Sequence, residues 1–220
     1  MLTVLGIFVK QPRPGRVKTR LAAKIGAKAA AELYAAFQAD LADRFRDVGS
    51  RRVLCFTPNH SESRTFFSEL AGESYDLWPQ PAGELGDRLS AFFDDAFRQD
   101  AERVVVIGSD SPTLPVDFAR QAFDRLTTHD VVLGPATDGG YYLAGQGRAA
   151  HRLFHNIEWS SSRVLEQTIA HVEALRLSLG LLSPWYDVDT IDDLDLLRGH
   201  IAALRCAGLL EPLRRTEPLL

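Results

Sequence analysis

A single carboxylate stands directly after the most apolar run of the chain. Val104–Ile107 are four aliphatic residues in a row, which is typical of a strand buried on both faces. Gly108 ends this run and Asp110 follows, at the carboxyl end of the strand, where open α/β sheets bind their ligands. Mg²⁺ takes one or two protein carboxylates and completes its shell with phosphate oxygens and water, so Asp110 suits a cation that carries phosphates. The alternative is a turn aspartate that bonds its own backbone.

Five basic residues and no acidic one lie between the first predicted strand and the first predicted helix. They are Lys10, Arg13, Arg16, Lys18 and Arg20. Free N–H groups and the helix dipole favour an anion at such a connection, and several cations suit a di- or triphosphate. The loop is not a Walker A motif, because two residues separate Gly15 from Lys18. A solvated run of surface charge is the alternative; the strand-to-helix position favours phosphate binding.

A third stretch, Leu133–Tyr142, combines turn residues with contact residues. Gly139 and Gly140 allow a ligand to approach the backbone closely, and Tyr141 offers an apolar face with a polar tip. The dipeptide Asp138-Gly139 is also a strong hairpin signal, so the stretch predicts a turn between a strand and one running back. The two interpretations are compatible.

Two further aspartates lie near the carboxyl end of the chain. Asp187 and Asp189 alternate on a predicted strand, Tyr186–Val188, and should therefore face the same way. One of them could supply a second carboxylate to a metal bound by Asp110. They could equally cap the helix that follows, and the sequence leaves these two roles open.

The elements that must position these residues alternate between strands and helices. Strands are predicted over 2–9, 52–57, 75–78, 103–108, 130–135, 141–145, 177–182 and 186–188. Helices are predicted over 19–48 with a break at Gly26, and over 61–71, 84–99, 116–126, 160–175 and 190–206. Ser160 is the predicted N-cap of the penultimate helix, and Thr190 with Asp193 forms a near-capping box before the last. This alternation predicts an α/β fold.

Composition limits the kinds of partner. The 220 residues are 45% hydrophobic and 25% charged, as in an ordinary globular domain, and their net charge is −4. That charge argues against nucleic acid or an anionic membrane surface as the main partner. Cys55 and Cys206 are too few for a disulfide framework, and no apolar stretch reaches membrane-spanning length. We expect a cytoplasmic protein with one domain over 1–208 and a C-terminal tail over 209–220.

Three segments together resemble the GT-A nucleotide-diphospho-sugar transferase superfamily. They are Lys10-x-Pro12-x-Pro14-Gly15-x-Val17-Lys18-Thr19-Arg20-Leu21, Gly108-Ser109-Asp110-Ser111-Pro112-x-Leu114 and Asp187-Val188-Asp189-Thr190-x-Asp192-Asp193-Leu194. The chain is similar to a bacterial glycosyltransferase-labelled group within it through Gly134-Pro135-x-x-Asp138-Gly139-Gly140-Tyr141-Tyr142-Leu143 and Trp159-Ser160. The resemblance runs from residue 2 to about residue 197. It implies a mixed, mostly parallel sheet with helices on both faces.

The resemblance also implies roles for individual residues. The aspartate matching Asp110 holds a divalent metal, Mg²⁺ or Mn²⁺, on the diphosphate, and either Asp189 or Asp187 completes the metal's shell. The residues expected to bind nucleotide and phosphate are Lys10, Gly15, Lys18, Arg20, Asp87 and Arg88. The residues expected to contact the acceptor are Gly139, Gly140, Tyr141 and Trp159. The catalytic candidates are Asp110, Asp138 and Lys18.

One departure from the superfamily pattern bears on the reaction. Glycosyltransferases of this fold commonly carry two aspartates flanking one residue at the metal, whereas Gly108 stands in the first of those positions. A single aspartate with a basic N-terminal loop is more similar to sugar-phosphate and cofactor nucleotidyltransferases, guanylyltransferases included. The family likeness and the local chemistry therefore point to different reactions.

The leading hypothesis from the sequence is a metal-dependent transferase with a nucleotide-diphosphate-sugar donor and a small-molecule acceptor. Lys18 and Arg20 would neutralise phosphate charge, and Asp138 is the candidate base. One alternative is nucleotidyl transfer, of guanylyl or cytidylyl type, from an NTP to a phosphorylated acceptor with release of pyrophosphate. Another is a nucleotide-sugar-binding protein without turnover. The sequence leaves the base, the sugar, the acceptor and the oligomeric state open.

Overall fold

The computed structural model describes residues 1–220, and its strands form one seven-stranded sheet. The strands are β1 (Thr3–Lys10), β2 (Arg51–Thr57), β3 (Asp76–Pro79), β4 (Arg103–Ile107), β5 (Val131–Pro135), β6 (Tyr141–Gln146) and β7 (Leu179–Leu181). The helices are α1 (Thr19–Ile25), α2 (Ala27–Arg44), α3 (Ser61–Ala71), α4 (Leu85–Arg98), α5 (Val116–Arg125), α6 (Val164–Ala174) and α7 (Ile191–Cys206). A short 3-10 helix, Glu217–Leu219, follows. None of the helices is long and apolar enough to cross a membrane.

The sheet is mixed and mostly parallel, as predicted. Its strand order is β3-β2-β1-β4-β6-β5-β7. β1 pairs in parallel with β2 and with β4, and β5 pairs in parallel with β7. β6 alone runs antiparallel to its neighbours, because it returns from β5 through a hairpin and inserts between β5 and β4. This confirms the hairpin predicted from Asp138-Gly139.

Helices cover both faces of the sheet, which confirms the predicted architecture. On one face, Phe67 of α3 and Phe123 of α5 are fully or largely buried in a cluster that includes Ile7 of β1. On the other face, Phe93 of α4 packs in a cluster that includes Val4 of the same strand. Successive residues of a strand point to opposite faces, so a strand of mainly apolar residues supplies both clusters.

A third apolar cluster lies around α1, α2 and α7 and fixes the basic loop. Val17, just before α1, and Leu21, within it, are buried there with Phe37 of α2 and Leu197 of α7. Gly26 separates α1 from α2 with a φ of 89°, which confirms the predicted break. The basic residues are thus held between anchored apolar residues.

Sheet order brings the predicted functional segments together. β1 and β4 are neighbours in register, with Ile7 opposite Ile107, so the loops after them emerge side by side. The segment before α7 reaches the same place, because Val188 N donates a hydrogen bond of 3.0 Å to Asp110 O. The basic loop, the Asp110 loop and the late acidic segment therefore share one edge of the sheet.

The predicted strand Tyr186–Val188 is wrong. The chain beside it makes one isolated bridge, between Trp185 and Ala136. It then leaves the sheet, and the N–H of Val188 pairs with the Asp110 loop instead of continuing the ladder. The premise that Asp187 and Asp189 alternate on a strand therefore fails.

The predicted cap Ser160 is also wrong. Ser160 has a φ of 66° and lies in a turn, and α6 begins only at Val164. The hydroxyl of Ser161 organises that turn by donating to Glu158 O and accepting from Arg163 N. By contrast, Thr190 and Asp193 form a full capping box at the start of α7, as predicted in part.

Residues 209–220 return to α2. Asp40 is almost fully buried, and its carboxylate accepts hydrogen bonds from the backbone N–H groups of Arg215 and Thr216. Leu213 is buried in the cluster of α1, α2 and α7. This segment packs against the helices.

Candidate functional site

Two adjoining cavities open where β1 and β4 end. The first has a volume of about 360 Å³ and the second of about 490 Å³. Asp110, Asp189 and Leu85 line both. The two spaces therefore meet at a pair of carboxylates.

The first cavity collects three of the six residues predicted to bind nucleotide and phosphate, Lys10, Lys18 and Arg88, and Arg20 lines the second cavity instead. The charged residues that line the first cavity are Lys10, Arg16, Lys18, Arg88, Asp110 and Asp189. Four of these six side chains are cations, which suits a polyphosphate.

The second cavity collects most of the predicted acceptor residues and the remaining aspartates. Its polar and aromatic lining residues are Arg20, Asp110, Asp138, Tyr141, Trp159, Ser160, Ser161, Ser162, Asp187 and Asp189, and Gly140 lies beside them. This space is rich in carboxylates and hydroxyls and has one cation, Arg20.

Three predicted residues line neither cavity. Gly15 lies in the exposed turn of the basic loop. The Asp87 carboxylate accepts a hydrogen bond of 3.0 Å from Glu84 N, which completes the capping box of α4. Gly139 has a φ of 94°, and a Cβ there would lie 2.2 Å from Ser162 O, so the close approach it permits is to the protein's own backbone.

A buried cation joins the two carboxylates. The Lys18 ammonium contacts Asp110 Oδ1 and lies 2.9 Å from Asp189 Oδ1, and its side chain is only 3% exposed. Arg20 adds a second ion pair, with Nη2 at 2.8 Å from Asp189 Oδ2. Asp110 and Asp189 thus contact the same ammonium group, that of Lys18, although they lie 79 positions apart in the sequence.

Ion pairing holds Lys18 and Asp189 in their ionised forms. Burial alone would lower the pKa of Lys18, but the carboxylates of Asp110 and Asp189 raise it above its ordinary value. Burial would raise the pKa of Asp189, and Lys18 and Arg20 lower it instead. Lys18 and Asp189 therefore stay charged at neutral pH.

Tyr34 of α2 is a part of the site that the sequence analysis missed. Its ring lies beside the Lys18 ammonium, 5.4 Å from ring centroid to Nζ, and its hydroxyl is 2.8 Å from Ser109 Oγ. Ser109 in turn donates to Phe8 O at 2.9 Å. Burial and the nearby charge of Asp110 raise the pKa of Tyr34 to about 12, so the hydroxyl stays neutral. In sequence it is one aromatic residue among the apolar residues of a helix, with no signal that marks it.

Leu85 and the serines of the turn before α6 were missed as well. Leu85 lines both cavities and is 42% exposed, although the sequence pattern predicts a buried helix position. Ser161 and Ser162 line the second cavity because α6 starts later than predicted.

Asp187 lies apart from the Lys18 cluster. It accepts a hydrogen bond from Ser111 Oγ within the second cavity. Burial, followed by the negative charge of Asp110, raises the pKa of Asp187 to about 7.

Asp138 also lines this cavity, and its Oδ1 accepts a hydrogen bond of 2.9 Å from Gly140 N within the hairpin turn.

The residues present fit a divalent cation that is shared with a ligand. No group of three or more His, Cys, Asp or Glu side chains is arranged to hold a metal by itself. Asp110 and Asp189 do converge on one point, and two carboxylates with phosphate oxygens and water are the usual shell of Mg²⁺. The carboxylate oxygens of Asp110 and Asp189 are suitable ligands for such a cation, and the Lys18 ammonium lies between them.

A family model matches residues 22–161, which is more than half of the chain. Its description is "Uncharacterized protein conserved in bacteria (DUF2064)". The chain belongs to this family. A search of curated proteins finds no significant match.

Solved structures confirm the fold of this DUF2064 member. A protein of Desulfovibrio desulfuricans G20, provisionally described as a nucleotide-diphospho-sugar transferase, is 31% identical, with a TM-score of 0.87 over 99% of this chain and 96% of that one. Rv0371c of Mycobacterium tuberculosis, in complex with manganese, is 13% identical, with a TM-score of 0.54 over 90% and 98%. A CMP:2-keto-3-deoxy-manno-octonic acid synthetase in complex with CTP is 9% identical, with a TM-score of 0.58 over 92% and 99%. The last two share the fold alone.

The raised pKa of Asp187 predicts a specific pH dependence of stability. Because the folded protein holds this proton more tightly than the unfolded chain, the contribution of Asp187 to the free energy of unfolding falls as the pH rises from about 4 to about 7 and then levels off. Asp187→Asn removes the titration and keeps the acceptor for Ser111. Relative to wild type, the variant should gain at least about 1 kcal/mol between pH 4.5 and about pH 8 in urea unfolding with EDTA present.

The matched control is Asp124→Asn, an exposed aspartate of α5. Its stability relative to wild type should not change over the same range. A pH-independent difference for Asp187→Asn would contradict the assigned environment of Asp187.

Proposed function

We propose that this protein is a metal-dependent transferase that uses a nucleotide-diphosphate-sugar donor. The diphosphate would bind between Lys18, Asp110 and Asp189, with the nucleotide in the first cavity and the sugar and its acceptor in the second. The observation that carries the proposal is that Asp110 and Asp189 line both cavities, one cationic and one acidic.

The charge of the first cavity supports diphosphate binding. Lys10, Arg16, Lys18 and Arg88 surround it, and charge-assisted hydrogen bonds from such groups are among the stronger polar contacts of proteins. They would neutralise the negative charge that develops on a departing nucleoside diphosphate. A bound divalent cation, held by Asp110 and Asp189, would supply further positive charge to the same oxygens.

The charge of the second cavity supports a sugar over a phosphorylated acceptor. Four aspartates line it, and its one cation, Arg20, is already paired with Asp189. An acceptor phosphate would find no unpaired cation there, whereas sugar hydroxyls can donate to carboxylates and to the serines of the turn before α6. Trp159 offers an apolar face beside them. Asp138 is the proposed base for the acceptor hydroxyl.

Nucleotidyl transfer is the second candidate function. Gly108 favours it, because the position before Ser109-Asp110 lacks the additional aspartate common in glycosyltransferases of this fold. The shared fold with a synthetase bound to CTP and with a manganese-bound mycobacterial protein is compatible with either reaction. A binding protein without turnover has no observation in its favour.

Replacing Asp110 tests the binding half of the proposal. Asp110→Asn should weaken Mn²⁺-dependent binding of the donor nucleotide at least about tenfold, because a direct metal ligand is lost, while circular dichroism stays unchanged. The measurement is a thermal-shift screen of nucleoside di- and triphosphates and their sugars, with and without Mn²⁺, followed by calorimetry on the hit. Asp117→Asn, on the exposed start of α5, is the control. Equal Mn²⁺-dependent binding by both variants would contradict the proposed role of Asp110.

The released product tests the reaction half. Sugar transfer releases a nucleoside diphosphate, and nucleotidyl transfer releases pyrophosphate. We expect a nucleoside diphosphate when the donor found in the screen is incubated with sugar acceptors. Pyrophosphate released from an NTP in the presence of a sugar phosphate would establish the second candidate instead.

A further inference from the structure

Lys18 occupies the point on which Asp110 and Asp189 converge. Its ammonium contacts one oxygen of each carboxylate and is nearly inaccessible to solvent. Both oxygens of Asp189 are already paired, Oδ1 with Lys18 and Oδ2 with Arg20, so a cation bound directly by both aspartates would have to displace one of these side chains. Lys18 and a free divalent cation would therefore compete for the same two carboxylates, those of Asp110 and Asp189.

The position of Lys18 is fixed from several sides. Its backbone is left-handed, with φ of 46° and ψ of 44°, directly before α1. Val17 and Leu21 anchor the flanking chain in the core, and the Tyr34 ring lies beside the ammonium. The hydroxyl of Tyr34 is tied to Ser109, next to Asp110 itself. These contacts hold the Lys18 ammonium between the two aspartates, unlike the ammonium of a mobile surface lysine.

A nucleoside diphosphate changes this balance. Without it, a divalent cation placed between the aspartates would lie beside the ammonium, and the two positive charges would repel because the ammonium is shielded from solvent. With it, phosphate oxygens bring negative charge to the first cavity, where Lys10, Arg16 and Arg88 also lie. Lys18 can then exchange a carboxylate for a phosphate oxygen, and the carboxylates become free for the cation.

Building on the proposed function, we propose that the site takes a divalent cation only as a chelate with a nucleoside diphosphate, because Lys18 is the resident counter-ion of Asp110 and Asp189 until the diphosphate arrives. The ligand class is therefore the metal–diphosphate complex and not the free metal. In this step Lys18 acts as a counter-ion that weakens binding of the free metal.

Binding of Mn²⁺ alone, measured from the electron paramagnetic resonance signal of the free ion, tests this inference without any activity assay. Lys18→Met should bind Mn²⁺ in the absence of nucleotide at least about tenfold more tightly than wild type. Adding UDP, GDP, CDP or ADP, whichever binds, should tighten Mn²⁺ binding to wild type at least about tenfold and change the variant much less.

Lys24→Met is the matched control. It removes the same charge from an exposed position of α1, the helix that Lys18 precedes, and it should bind Mn²⁺ alone as weakly as wild type. If Lys18→Met does not fold, Lys18→Gln keeps a hydrogen-bond donor without the charge and should show the same gain.

Two results would overturn the inference. One is equal binding of Mn²⁺ alone by wild type and the Lys18 variant. The other is seen in wild type alone: Mn²⁺ binds as tightly without the nucleoside diphosphate as with it. Both leave the proposed transferase function standing. Wild type that binds no Mn²⁺ even with every nucleoside diphosphate would contradict the proposed function, and the inference with it.

Discussion

The structure depends on one electrostatic constraint: a buried lysine must find negative charge, and two partly exposed aspartates supply it at the same point. Lys18, Asp110 and Asp189 meet this need together. Removing water strengthens each attraction but makes any unpaired member costly. The cluster therefore fixes the relative positions of three chain segments, and with Arg20 it places two cations and two carboxylates beside a cavity whose other charged residues are cationic.

The fold supplies this point by strand order. β1 and β4 are adjacent and parallel, so the basic loop and the Asp110 loop emerge at one edge. β6 returns antiparallel beside β4 and carries the hairpin with Asp138 to the second cavity. The bridge between Trp185 and Ala136 then brings the chain back past Asp110 before α7 begins. Ligand sites at the carboxyl ends of strands follow from this geometry.

Much of this could be predicted from local sequence. The buried strand before Asp110, the break at Gly26 and the hairpin at Asp138-Gly139 each have a local physical signal, and each is present. The sequence predictions fail where contacts between residues far apart in the chain determine the local structure. The chain leaves the sheet after Trp185, and Val188 N donates to Asp110 O instead of pairing in the ladder. The positions of Tyr34 and of the Lys18 ammonium depend on residues far apart in sequence, so no local pattern could indicate them.

The central claim is that Asp110 and Asp189 share one cation on a diphosphate while Lys18 binds the same diphosphate. A crystal structure of the protein with Mn²⁺ and the nucleotide-diphosphate sugar found in the screen, with an anomalous difference map, tests it most directly. We predict one manganese peak within bonding distance of both carboxylates, with the Lys18 ammonium on a phosphate oxygen. A diphosphate bound away from Lys18, or a manganese peak that touches neither aspartate, would contradict the account.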